Sequence, residues 1–192
     1  MQVLTIPEAD ALHLASKDED HFYDRKAAAI SGAKLQKVAV AFANADGGDI
    51  YIGIADDSDQ PDPTKRWQGA RLIEDYNQLI QALTEIQPSV PMEISFLRSV
   101  FSDFYVLRIQ IEKSESVHRT SDGSVYERKG AQSLPIKDPA RITALSFAKG
   151  ASSYEDYSVE SAIAEDVVDS LAISEFLSEY SLRTDPPRPD LK

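Results

Sequence analysis

The segment AVAFANADGGDIYIGIAD, residues 39–56, contains the clearest structural pattern in the chain. Apolar residues recur at i, i+3, i+4 and i+7 from just upstream of it: Leu35, Val38, Ala39 and Phe42. This spacing predicts a helix with one apolar face. Gly47 and Gly48 then predict a turn. The isoleucines that follow occupy every second position, which predicts a strand with one buried face that leads to the carboxylate of Asp56.

The rest of the chain alternates further helices with further strands. Periodicity and capping signals predict helices at Glu8–Ala15, at Leu72–Ile86, from Asp138 onward and at Glu165–Tyr180. Strands are predicted within Phe22–Ala28, at Met92–Phe96, at Tyr105–Ile111 and at Gly123–Arg128. The second and third of these strands are expected to form a hairpin. The fold class is therefore α+β, a mixed sheet with flanking helices, followed by an acidic C-terminal helix.

Composition excludes several classes of function. The chain has 192 residues, a formal charge of −12 and no cysteine, so disulfides, thiolate catalysis and cysteine zinc sites are excluded. No apolar run reaches the roughly 20 residues that span a bilayer, and a cytoplasmic protein without membrane contact is expected. The acidic residues concentrate before Arg25 and after Leu145. The segment between them is nearly neutral, so the net charge weakens a nucleic-acid interpretation without excluding it.

Four short motifs give the chain a resemblance to a known family. An acidic cluster, Asp18-Glu19-Asp20, is followed by Asp24-Arg25-Lys26, then by AFANADGG at residues 41–48 with its strand to Asp56, and finally by Val-Tyr-Glu-Arg-Lys-Gly at residues 125–130. In this order the motifs resemble the AlbA_2 domain, which Schlafen proteins share with many bacterial regulators. The resemblance covers about Glu19–Ser133 and implies a Schlafen-core-like fold over residues 1–149. Residues 150–192 are expected to form the helical extension and a proline-containing linker.

The resemblance also implies a chemistry. In Schlafen nucleases three carboxylates bind the catalytic metal, and the matching positions here are Glu19, Asp24 and Asp56, with Mg²⁺ or Mn²⁺ as the expected ion. Asp24 stands where the family usually has Glu, which shortens that ligand by one methylene. Lys26 matches the family lysine and would stabilise charge on the phosphoryl group. The implied function is a metal-dependent endoribonuclease acting on structured RNA such as tRNA, in a setting such as antiphage defence.

Basic residues near these motifs are candidates for phosphate contacts. They are Arg25, Lys26, Arg119, Arg128 and Lys129. Lys34 and Lys37 are interpreted as the polar face of their helix. Trp67, in a polar loop beside Lys65 and Arg66, is a weak candidate for base stacking.

Other interpretations stay open from the sequence. Asp18–Asp20 is a charge run of a kind that usually faces solvent, and Asp56 precedes Asp57 and Ser58 in a sequence that can open a turn. The domain can then be a non-catalytic nucleic-acid-binding or regulatory module. A third hypothesis is a scaffold that pairs through the acidic helix Glu165–Tyr180 in a homo-oligomer. The terminal Pro-rich sequence also suggests a fragment of a longer protein with further domains.

Overall fold

The computed structural model describes residues 2–152 and 170–183, which fall in two compact units, 1–152 and 153–192. Its strands are β1 (Gln2–Ile6), β2 (Tyr23–Lys26), β3 (Gly48–Ile52), β4 (Met92–Ser99), β5 (Tyr105–Ile111), β6 (Val125–Lys129) and β7 (Gln132–Ile136). Its α-helices are α1 (Glu8–Ser16), α2 (Gly32–Ala43), α3 (Asn77–Thr84), α4 (Pro139–Ala148) and α5 (Leu171–Arg183). Short 3₁₀ turns lie at Pro63–Lys65 and Ile73–Tyr76. None of the described helices is long and apolar enough to cross a membrane.

Five strands form one mixed sheet in the order β1-β4-β5-β3-β2. The outer pairs, β1 with β4 and β2 with β3, are parallel, whereas β4–β5 and β5–β3 are antiparallel. The remaining two strands, β6 and β7, form a separate antiparallel hairpin. This mixed sheet with helices confirms the predicted α+β class and the predicted β4–β5 hairpin.

The connection from α2 to β3 follows the pattern expected from the sequence. The Ser31 side chain caps α2 by accepting from the backbone N–H of Lys34, and the apolar face of the helix is buried. Gly48 has φ of +142° and lies so close to α2 that a Cβ atom would stand 2.4 Å from Cε1 of Phe42. The turn therefore depends on glycine, because any side chain would collide with the ring.

The core lies on both faces of the central sheet. Ile50 and Ile52 of β3 pack with α2 and α3, whereas Tyr51 faces the opposite side with Ala11 and Ala15 of α1. The prediction that β3 buries only one face is therefore wrong. The physical reason is that α1 covers the second face, so the residues between the isoleucines are buried as well.

Several elements differ from the sequence prediction. The helix expected at Leu72–Ile86 divides into a 3₁₀ turn and α3, and strands β1 and β7 were not predicted. Trp67 is 5% exposed and its Nε1 donates to the carbonyl of Phe104, so it is a core residue rather than an exposed stacking platform. Of the predicted helix Glu165–Tyr180, the structure describes residues from 170 onward, where α5 runs to Arg183; residues 165–169 lie outside the described part.

Candidate functional site

Strand β2 positions the centre of the predicted site. Asp24 and Lys26 share one face of this edge strand because side chains alternate along a strand. The Lys26 ammonium donates to Oε1 of Glu19 at 2.9 Å and forms an ion pair with Oδ1 of Asp24. The structure thus brings together Glu19, Asp24 and Lys26, as the resemblance implied, with a lysine cation between the two carboxylates.

The second carboxylate oxygen of Asp24 forms an ion pair with Arg128 of β6. Arg128 Nη1 lies 2.5 Å from Oδ2 of Asp24, and its Nη2 donates to the carbonyls of Asp20 and Tyr23 at 2.8 and 3.1 Å. Its guanidinium also lies 4.5 Å from the centre of the Phe42 ring. Asp24 and Arg128 are only 1% and 2% exposed. This ion pair therefore ties the β6–β7 hairpin to the main sheet from inside the protein.

Arg25 points to the opposite face of β2. Its guanidinium donates to the carbonyl of Ala15 in α1 and to the carboxylate of Asp57. Arg66 converges on the same two groups, with 2.6 Å between its Nη1 and Asp57 Oδ1. The sequence analysis did not identify Asp57 as part of this cluster, because nothing in its local pattern marks it as the partner of Arg25 and Arg66.

Asp56, the third predicted ligand, is exposed and opens a turn. Its carboxylate accepts from the backbone N–H of Asp57 at 2.6 Å, and its carbonyl accepts from the N–H groups of Asp59 and Gln60. Asp56 lies beyond the end of β3 at Ile52 and is exposed, so its side chain does not emerge from the buried face of the strand as the alternation implied. The turn interpretation matches this geometry.

The three carboxylates do not fit a divalent metal ion in this arrangement. A magnesium or manganese site needs oxygen ligands that converge on one point with free lone pairs. Here the carboxylates of Glu19 and Asp24 already hold Lys26, and Asp24 also holds Arg128. Within residues 2–152 and 170–183, no group of three or more Asp, Glu, His or Cys side chains is arranged to hold a metal. The Lys26 ammonium supplies the positive charge that a metal ion would otherwise provide to the carboxylates of Glu19 and Asp24.

The pKa shifts of Glu19 and Lys26 agree with a lysine cation, rather than a metal ion, between the carboxylates. Burial raises the pKa of Glu19 above its ordinary value, and the charge of Asp24 adds to that rise against the hydrogen bond from Lys26. For Lys26, burial works to lower the pKa, but the charges and hydrogen bonds of Asp24 and Glu19 outweigh it and raise the pKa. Lys26 therefore remains protonated at neutral pH.

An open groove of about 470 Å³ lies beside this cluster. Its charged lining residues are Arg25, Lys26, Lys34, Lys37, Asp56 and Asp59. Lys34 and Lys37 are exposed, and neither forms an ion pair with a described residue. The lysines therefore reach the groove from two elements, β2 and α2, and the polar face of α2 borders a cavity as well as bulk solvent.

The other predicted phosphate contacts lie elsewhere. Arg119 and Lys129 are exposed; the backbone of Arg119 pairs with Gln87, and the ammonium of Lys129 lies 3.4 Å from Glu127. Neither residue lines the groove, and buried Arg128 does not line it either. Of the five residues predicted to contact phosphate, Arg25 and Lys26 alone are among its lining residues, in the part of the chain that the structure describes.

Fold and site together define an α+β domain with a lysine-lined groove at the edge strand of a mixed sheet. The chain matches the Schlafen, AlbA_2 family over residues 19–137 and belongs to that family. Membership gives the domain a nucleic-acid-related role. No curated protein matches the sequence.

A solved structure supports the fold. The crystal structure of the DIP2311 protein from Corynebacterium diphtheriae superposes with a TM-score of 0.50 at 17% sequence identity. The match covers 73% of this chain and 31% of that protein. At this identity the likeness concerns the fold alone.

Proposed function

We propose that this domain binds the phosphate backbone of nucleic acid through the groove beside β2 and does so without cleaving it. The observation that carries the proposal is the convergence of Lys26, Lys34 and Lys37 on one open groove in a chain of net charge −12. Phosphate binding needs concentrated cationic side chains. Four of the eleven residues that line the groove are Lys or Arg and two are Asp. Arg25 and Lys26 are already paired with carboxylates, so the cations that remain for an anion are those of α2.

The two lysines of α2 supply the direct contacts. Lys26 already neutralises Glu19 and Asp24, so it offers little further charge to a ligand. Lys34 and Lys37 are exposed and form no ion pair among the described residues, so both can meet phosphate oxygens, and the Lys37 ammonium lies 5.8 Å from the centre of the Tyr126 ring. Their spacing of three residues places both on one side of α2.

Salt dependence tests the proposal. Two phosphate contacts predict that raising the salt from 50 to 200 mM weakens binding about tenfold. We expect the double variant Lys34→Gln/Lys37→Gln to bind fluorescein-labelled RNA more weakly in an anisotropy titration and to lose most of this salt dependence. The matched control is Lys65→Gln/Lys113→Gln, which removes the same charge from two exposed lysines outside the groove. Equal affinity of the two double variants would contradict the proposal.

A metal-dependent endoribonuclease acting on tRNA is the second candidate. It is favoured by one observation, the position of Asp56 on the same groove as Lys26. It would require Glu19 and Asp24 to exchange Lys26 for Mg²⁺ or Mn²⁺. Incubation of the protein with total tRNA and Mn²⁺, beside an Asp56→Ala variant and an EDTA control, separates the candidates. Discrete fragments that vanish in both controls would replace the binding proposal with cleavage, and antiphage defence would become the setting to test.

A further inference from the structure

We propose that β1 is a dimerisation strand, which pairs in an antiparallel arrangement with β1 of a second copy of this chain. The outer edge of β1 carries the proposal: within residues 2–152 and 170–183, the strand hydrogen-bonds to β4 alone. Alternate residues of a strand direct their N–H and C=O groups to opposite sides, so the other edge of β1 presents unpaired donors and acceptors. An edge of this kind is a template for a further strand.

The opposite edge of the same sheet is closed by the protein itself. In β2 the carbonyl of Tyr23 accepts from the backbone N–H of Asp20 at 3.0 Å and from Nη2 of Arg128 at 3.1 Å. The backbone N–H of Arg25 donates to Oε1 of Glu19 at 3.1 Å. The sheet therefore has a protected edge at β2 and an open edge at β1, where a further strand can add.

The sequence of β1 lacks the features that protect exposed strands from pairing. Edge strands in natural proteins commonly carry a charged side chain, a proline or a bulge. The five residues of β1, QVLTI, include no charged residue and no proline. All five pair with Ser95–Ser99 in an unbroken register, so no bulge turns the edge away. β1 is thus a regular, uncharged edge strand.

The strand is also complementary to itself. In an antiparallel pair centred on Leu4, this residue faces its own copy on one side of the sheet, and Val3 faces Thr5 of the second copy on the other side. Gln2 then faces Ile6 of the second copy, so every cross-strand pair is uncharged. Val3 is 46% exposed in the single chain, and the pairing gives its β-branched side chain a neighbour of a type that favours strands.

Charge favours this edge as the place where two copies meet. Two chains that each carry a formal charge of −12 repel one another. β1 is uncharged, and so are the residues of β4 that pair with its first half, Ser95–Leu97. A second copy therefore supplies a matching strand without placing carboxylates opposite each other. A five-residue pair is smaller than a standard interface, so we expect a reversible dimer that forms with rising concentration.

Pairing at β1 leaves the lysine-lined groove of each copy open. The strand order is β1-β4-β5-β3-β2, so β1 and β2 lie at opposite edges of the sheet. The dimer joins two sheets into one of ten strands with a β2 strand at each end. Nine strand spacings, about 40 Å, then separate the two β2 strands. Each dimer presents two grooves, and a polyanion long enough to reach both would bind more tightly than to one.

Sedimentation equilibrium of the whole chain tests the dimer. We expect the average mass to rise from 21.2 kDa towards twice that value between about 10 and 500 µM, as for a small interface. Hydrogen exchange at residues 2–6 should slow over the same range, while exchange in β2 should not change. A mass of 21.2 kDa at every concentration would overturn the proposal. Association that leaves the exchange of residues 2–6 unchanged would overturn it as well, because another surface would then form the contact.

Charges placed at positions 3 and 5 test the pairing register. Val3→Lys/Thr5→Lys places lysines directly opposite each other between the two copies, so it should weaken dimerisation about tenfold or more. Val3→Glu/Thr5→Lys places opposite charges across the same pairs and should dimerise more tightly than the double-lysine variant. The matched control is Ser58→Lys/Val100→Lys, which makes the same change of charge at two exposed turn positions and should dimerise like the wild type.

The remaining outcomes are equally decisive. Equal dissociation constants for the two β1 variants would refute the antiparallel pair centred on Leu4. Val3 and Thr5 are exposed, so both variants should melt near the wild-type temperature, which shows that a lost dimer is not a lost fold. The inference does not depend on the proposed function, and no nucleic acid enters these measurements, so failure of the dimer and failure of RNA binding can be told apart.

Discussion

Removal of Arg128 distinguishes a structural arginine from a phosphate ligand. Arg128→Ala leaves the buried carboxylate of Asp24 with Lys26 as its remaining ion-pair partner, and it removes donors from the carbonyls of Asp20 and Tyr23. Loss of one member of a buried ion pair costs about 3–5 kcal/mol. For a chain of this size, each kcal/mol lowers the melting temperature by about 2–4 °C. The expected fall is therefore about 6–20 °C.

Urea unfolding followed by Trp67 fluorescence measures this loss directly. Trp67 is the single tryptophan and is 5% exposed, so its emission should report unfolding of the sheet domain. A double-mutant cycle with Asp24→Asn and Arg128→Met should show a coupling of about 1–3 kcal/mol, because the two groups are in contact. The double variant should be more stable than Arg128→Ala, since it leaves no full charge at Asp24.

One result would refute this reasoning. If Arg128→Ala unfolds at the wild-type urea concentration, the ion pair contributes nothing to stability. If the same variant also binds RNA more weakly and with a smaller salt dependence, Arg128 is a phosphate ligand, as the sequence alone predicted.

Three further predictions concern pH and the α2–β3 turn. Because burial raises the pKa of Glu19, the folded protein holds this proton more tightly than the unfolded chain, and its contribution to stability falls as the pH rises above 4.5. Glu19→Gln should remove that pH dependence, so the difference in the free energy of unfolding between the variant and the wild type should change between acidic and neutral pH in urea titrations. The same difference at both pH values would contradict the prediction. Burial lowers the pKa of His118 below 6.5, so the free energy of unfolding should fall as the pH drops through 6.5, and His118→Gln should flatten that slope in urea titrations; a slope unchanged in the variant would contradict this. Gly48→Ala should cost at least about 1–3 kcal/mol through its positive φ alone, with the Phe42 contact adding to it; a loss below about 0.5 kcal/mol would show that the turn relaxes.

The buried salt bridges explain why the predicted site and the observed one differ. Family-like spacing correctly placed Glu19, Asp24 and Lys26 in one cluster. The partner of Asp24 comes from Arg128, more than one hundred residues away, and no local pattern indicates such a contact. Lys34 and Lys37 could be recognised as a polar helix face, but the groove in front of them exists because β2 and the turn at Asp56 border it.

The amino-acid sequence by itself determined the local elements and the family. Apolar periodicity specifies α2, paired glycines specify the turn, and alternation specifies β3, because each depends on neighbours within a few residues. The tertiary structure alone decided which charged side chains are paired inside the protein and which are exposed to a ligand. Burial and pairing arise from residues far apart in the chain, so Asp24 and Arg128 become a buried ion pair, while Lys34 and Lys37 remain exposed beside the groove.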